Sequence, residues 1–132
     1  MARFLAHVVK KVKVPLMLDS TDPRVIELGL TFSQGKAIIN SINLEEGEKR
    51  FAAVAPLVHA YGAAVVVGTI DEQGMAVTRE RKLEVAERSY DLLVHKYGLD
   101  PRDILFDPLV FPVAPATRPT SGRPWRRSRA SA

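Results

Sequence analysis

The chain contains no cysteine. That excludes disulfide bridges, a thiolate nucleophile and any Cys-ligated zinc site. No apolar run approaches the ~18 residues that a membrane-crossing helix needs. The longest, Ala63 to Gly68, has the length of a buried strand. The opening stretch, Met1 to Val14, carries Arg3, Lys10, Lys11 and Lys13 and has neither the extended apolar segment nor the small-residue cleavage site of a secretory signal. A cytoplasmic protein is expected. There is no glycine-rich phosphate loop. His7, His59 and His95 fall on separate expected helices, none at an i, i+4 spacing with another histidine, so no metal site is expected. Ser20, Ser41 and Ser89 have no motif-placed His and Asp, so no hydrolytic triad is indicated.

Acidic residues are absent from the end of the chain. Five of the 19 basic residues, Arg118, Arg123, Arg126, Arg127 and Arg129, lie in the last 15 residues, leaving 14 bases against all 15 acids in the body. The formal net charge of +4 is therefore a property of the tail. It is weak support for nucleic-acid binding, which is not expected. From Pro112 onward Pro, Ser, Thr, Ala and Arg dominate, with Trp125 the only large apolar residue past Val113. Such a segment buries too little surface to offset its ordering entropy. Residues 1–114 are read as a folded unit and residues 115–132 as a disordered Arg/Pro/Ser-rich tail.

In the body, short apolar runs alternate with longer amphipathic stretches, the pattern of βα units on a parallel sheet. An opening helix is expected over Ala2 to Lys11, then a strand over Val14–Leu18 running into Asp19. Asp22-Pro23 reads as a cap and first turn of a helix reaching Phe32, with Val25, Ile26, Leu28 and Gly29 inward. A second strand, Ala37–Ile39, ends at Asn40. A helix starting near Glu45–Gly47 has Phe51, Val54, Ala55, Val58 and Tyr61 as its stripe, Pro56 in its interior and Gly62 as terminator. Ala63–Val67 is the third strand, β-branched and apolar enough to be buried on both faces. A loop, Gly68–Val77, leads to the longest helix, Thr78 to Tyr97, with Leu83, Ala86, Tyr90, Leu93, Val94 and Tyr97 inward. Ile104–Phe106 is the fourth strand, ending at Asp107-Pro108.

Three of the four strands thus end in a hydrogen-bonding residue: Asp19, Asn40 and Asp107. In a barrel of parallel strands the carboxyl ends meet on one rim, where sites are built. A carboxylate accepts two N–H groups side by side, and a carboxamide both donates and accepts. The trio suits a flat heterocycle with a guanidine-like edge. A pterin has such an edge, and so does a guanine. The plainer alternative is that Asp19 to Pro23 is strand-end and cap chemistry and Asn40-Ser41 a turn. Asp71 and Glu72, in the loop after the third strand, could reach the same rim, although an exposed loop acid is more often simply solvated.

Several segments carry a resemblance. Val14 to Ser20 (VPLMLDS), Gln34 to Ile42 (QGKAIINSI), Tyr61 to Val67 (YGAAVVV), Asp71 to Gly74 (DEQG), Thr78 to Lys82 (TRERK) and Ile104 to Ala114 (ILFDPLVFPVA) follow one another in order. Together, over about residues 3–114, they resemble the pterin-binding module of cobalamin-dependent methionine synthase. Dihydropteroate synthase is similar in its Asp, Ile-Ile-Asn and Asp-Pro pattern but lacks the DEQG loop. The resemblance implies an α/β fold, four βα units matching strands three to six of an eight-stranded (β/α)₈ barrel. It implies that Asp19, Asn40 and Asp107 contact the pterin of 5-methyltetrahydrofolate, whose N5 methyl passes to cobalamin and on to homocysteine. Cobalamin and homocysteine would be held by other modules. Taken alone, the chain is expected to be an inactive fragment, with open sheet edges that favour self-association.

Overall fold

A computed structural model of the chain describes residues 2–110. A short helix α1 (Ala2–Val8) comes first, and Val9–Val12 continue as turn rather than helix. Strand β1 (Met17–Asp19) is shorter than its apolar run. Pro15, within that run, has no N–H to give to a ladder. Helix α2 (Pro23–Phe32) starts where its chemistry dictates: the Asp22 side chain accepts from the Arg24 N–H, and Pro23 occupies the first turn. Its inward face is Ile26, Gly29 and Leu30, whereas Leu28 is exposed. The expected inward place of Leu28 is taken by Leu30, which lies one turn beyond Ile26. Gly29 is needed for close approach, since a Cβ there would sit 2.8 Å from both terminal methyls of Leu18.

Strand β2 (Ile38–Ile42) runs past Asn40 instead of ending at it. Helix α3 (Lys49–Tyr61) buries Phe51, Val54, Ala55 and Val58, includes Pro56, and stops at Gly62 with φ 60° and ψ 33°. Tyr61 lies outside the stripe and is exposed. Strand β3 (Ala64–Gly68) is the central, most buried strand. The loop after it holds a hairpin, β4 (Ile70–Asp71) and β5 (Gly74–Met75), which the sequence pattern did not reveal. Helix α4 (Arg79–Asp91) is capped by the Thr78 side chain, which accepts from Arg81 N–H, and continues as a π-helical turn over Leu92–Lys96. A single 3₁₀ turn, Pro101–Asp103, leads into β6 (Ile104–Asp107).

The buried face of α4 is Val85, Ser89 and Leu93, not the expected Leu83 and Tyr90, which are exposed. Ser89 can be buried because its hydroxyl donates to the Val85 carbonyl at 2.7 Å, which satisfies it within the helix.

The four long-range strands form one parallel sheet in the order β1-β2-β3-β6. The main core lies between this sheet and the helices. Ile26, Ile39, Phe51, Val54, Val65 and Leu93 are fully enclosed there. Alternating strands and helices on a four-stranded parallel sheet are the βα units that the sequence pattern indicated and the partial (β/α) barrel that the resemblance implied. Among the described residues, no helix is long and apolar enough to cross a membrane. The expected disordered tail, 115–132, lies outside the described residues.

Candidate functional site

Alternation within the strands decides which side chains reach the open face of the sheet. Leu18, Ile39, Val65 and Val67 point to the helices and are buried. Their neighbours point the other way. The register carries that parity from β1 to β2 and from β3 to β6, and between β2 and β3 through Ile38 and Ile39, beyond which the ladder shifts before Ile42↔Val67. Asp19 pairs with Asn40, Ile38 with Ala64, Val66 with Leu105, and Gly68 with Asp107. Asp19, Asn40 and Asp107 therefore lie on one face, all at the carboxyl end of the sheet.

They are not equally close. Asp19 and Asn40 are direct neighbours across the β1–β2 ladder, about 5 Å apart by the spacing of adjacent strands, while Asp107 is two strands further on, roughly 10 Å from Asn40. Asp19 and Asn40 line a common cleft of about 400 Å³ with Ser20, Thr21, Asn43 and Arg50, and Asp107 is not among its lining residues. The Asp107 carboxylate accepts from the Leu109 N–H at 2.9 Å. Its main-chain carbonyl accepts from both the N–H and the hydroxyl of the buried Thr69. One part of Asp107 thus shapes the strand end, and the exposed remainder of its carboxylate is free to accept from a ligand.

Asp71 and Glu72 are placed differently from the trio. Asp71 is buried, accepts from the Gln73 N–H at 3.1 Å, and is ion-paired with Arg81. Glu72 receives two parallel hydrogen bonds from the Arg88 guanidinium, each 2.8 Å. That fork holds the Glu72 carboxyl down at about 2. Both acids fasten the β4–β5 hairpin to α4, and neither lines the cleft of Asp19 and Asn40.

A group that the sequence reading passed over stands in the cleft. Arg50, in the first turn of α3, donates through Nη2 to the Ser20 carbonyl at 2.6 Å and to the Ser41 carbonyl at 3.5 Å, and through Nη1 to the Thr21 carbonyl. Partial burial pushes the guanidinium below its ordinary value, with the charge of Asp22 acting in the opposite sense. The available signal was its i, i+3 relation to Ala53, whose small side chain leaves the same helix face open to the cleft.

The cleft mixes charges: Asp19, Glu45 and Glu46 against Lys49 and Arg50, with Lys49 and Glu46 paired at 3.5 Å. Asn43 accepts from the Glu45 N–H at 3.0 Å and turns the chain at the cleft's edge. Among the described residues, no group of three or more His, Asp or Glu side chains is placed to hold a metal ion.

This is a rim of hydrogen-bonding groups at the carboxyl ends of parallel strands, able to accept N–H groups and to donate to a ring carbonyl. The model of a family described as pterin binding enzyme matches residues 1–121 of the sequence. The match takes in all four strands of the sheet and all three rim groups, and the chain belongs to the pterin-binding enzyme family.

Proposed function

We propose that the chain supplies part of the pterin site of a methionine synthase-type methyltransferase, with 5-methyltetrahydrofolate as the ligand. The observation that carries this reading is the register that sets Asp19, Asn40 and Asp107 on one face of the sheet. Asp19 accepts the 2-amino group and the adjacent ring N–H. Asn40 donates to the 4-oxo group and accepts from a neighbouring N–H. Asp107 takes the far side of the ring, where a curved barrel sheet faces back on itself. Held in this way, the ring presents N5 for protonation, which makes it a better leaving group as the methyl departs.

The acceptor in such an enzyme is reduced cobalamin, which then methylates homocysteine. No residue of the described chain is assigned to the cobalamin, and transfer is expected only with the remaining modules present. The other enzyme of this family with the same trio is dihydropteroate synthase. The sequence DEQG, built here into the Asp71 and Glu72 hairpin locked to α4, favours the methyltransferase reading. The open edges of the sheet, β1 and β6, are where further strands or a second copy would add.

Titration of the full chain with 5-methyltetrahydrofolate tests the reading. Saturable binding, weakened in Asp19→Ala and in Asn40→Ala, supports it. No binding, or the same affinity in both variants, sinks it. Turnover with p-aminobenzoate and a dihydropterin diphosphate would move the assignment to dihydropteroate synthase.

A further inference from the structure

The β1–β2 ladder ends at the pair that matters most. Asp19↔Asn40 is its last rung: β1 then gives way to the loop at Ser20, while β2 runs on to Ile42 beside β3. The next residues are Ser20 and Ser41. Their carbonyls would have no shared partner, yet both accept from one nitrogen, Arg50 Nη2, at 2.6 and 3.5 Å. Nη1 of the same guanidinium holds the carbonyl of Thr21. Arg50 thereby extends the ladder by one rung made from a side chain. All three of its acceptors are main-chain oxygens, so the contact reads backbone position rather than side-chain identity.

We propose that Arg50 is a positioning residue for the pterin, fixing the spacing between the Asp19 carboxylate and the Asn40 carboxamide by holding the residue that follows each. This rests on the pterin reading given above. The physical argument is one of geometry. A ring edge engaged by two groups on separate strands tolerates little change in their separation. Beyond the last rung β2 is still held to β3 at Ile42↔Val67, whereas the Ser20–Thr21 end of β1 leaves the ladder and is tied back to β2 through Arg50. The guanidinium is suited to the task because it is planar, keeps its charge and offers five donors in a fixed fork. A lysine ammonium is a single point of donation and reaches one loop or the other with proper geometry, not both.

The test uses the full chain, with 6-methylpterin as the probe, and Arg50→Met and Arg50→Lys as variants. Thermal unfolding and amide hydrogen exchange are measured beside affinity. Arg50→Lys is expected to melt close to the unaltered protein, yet to bind the probe roughly tenfold more weakly, a change of one decade in dissociation constant. Arg50→Met is expected to lose at least as much. Exchange should quicken in residues 20–22 and 41–43 and stay unchanged in 64–67. A merely structural role predicts the opposite pairing, in which affinity falls only as far as melting temperature falls and lysine restores both. Binding by both variants at unaltered affinity overturns the proposal while leaving the pterin reading intact. Failure of the unaltered chain to bind 6-methylpterin overturns both. Should Arg50→Met not fold, the lysine variant decides.

Discussion

The two faces of the four-stranded sheet are made by alternate residues of the same strands, and their fates differ. Toward the helices, Leu18 is 7% exposed and Ile39, Val65 and Val67 are at most 1%. On the opposite face, Met17 is 56% exposed and Leu105 44%. Even the helix side is finished only in the middle, since Phe106 on edge strand β6 is 38% exposed beside Tyr90 and Ala86 of α4. The stability of the described residues therefore comes from one layer, sheet against helices. The other face carries Asp19, Asn40 and Asp107, the groups proposed to meet the pterin, and contributes less to holding the fold together.

That contrast can be broken in several ways. The largest effect is expected from Phe51→Ala, which empties a fully enclosed site on the helix side. It should cost about 3–5 kcal/mol in denaturant unfolding. A loss under about 1 kcal/mol would mean that the helix layer is not the stabilising one.

Next comes the rim. Asp19→Ala removes an exposed carboxylate that makes no hydrogen bond or ion pair among the described residues, so unfolding should hardly change. Affinity for 5-methyltetrahydrofolate should fall by roughly 10- to 100-fold, the range for a hydrogen bond to a charged group. Equal loss of stability and binding would place Asp19 in the scaffold instead.

A smaller effect separates the hairpin acids from the rim. The Arg88 fork lowers the Glu72 carboxyl from 4.5 to about 2. A depressed carboxylate favours the folded state above its unfolded value, and that advantage fades as pH falls through the folded one. The unaltered protein should therefore exceed Glu72→Gln in stability above pH 4.5 and converge with it toward pH 2. Acid titrations of the two proteins followed by circular dichroism check this. A constant difference across that window would show that the fork is not the source.

The smallest effect is expected at Leu105→Ser, on the open face. Nearly half of its surface is already in water, so unfolding free energy should move by no more than about 0.5–1 kcal/mol. A large loss would mean that another layer covers this face in solution.

Much of this arrangement was legible in the chain. Asp22-Pro23 and Gly62 marked helix ends through local chemistry, a hydrogen-bonding cap and a left-handed residue. The β-branched run at Ala63–Val67 marked the most buried strand, observed over Ala64–Gly68. Helix α4 was harder. Leu83, Ala86 and Tyr90 do form an apolar stripe, but Leu83 and Tyr90 are exposed, with Ala86 and Tyr90 beside Phe106 of β6, while Val85, Ser89 and Leu93 are the buried residues and Leu93 joins the main core. Periodicity reports that a face is apolar without saying which neighbour it meets, and a buried serine that bonds its own helix is invisible to it. The β4–β5 hairpin escaped notice because its strands are two residues each, too short for any alternation to register.

Composition, spacing and local caps were enough to establish an alternating α/β chain with Asp19 and Asp107 at strand ends, although β2 runs past Asn40, because those features depend on neighbours close in sequence. Strand order, register and the placing of Arg50 depend on residues about twenty to forty positions apart. Only the folded sheet could show that Asp19 and Asn40 share a cleft, that Asp107 stands apart from it, and that one guanidinium spans the gap where the ladder ends. Such long-range pairings are chosen by the packing of the whole core, and no local stretch of sequence encodes them.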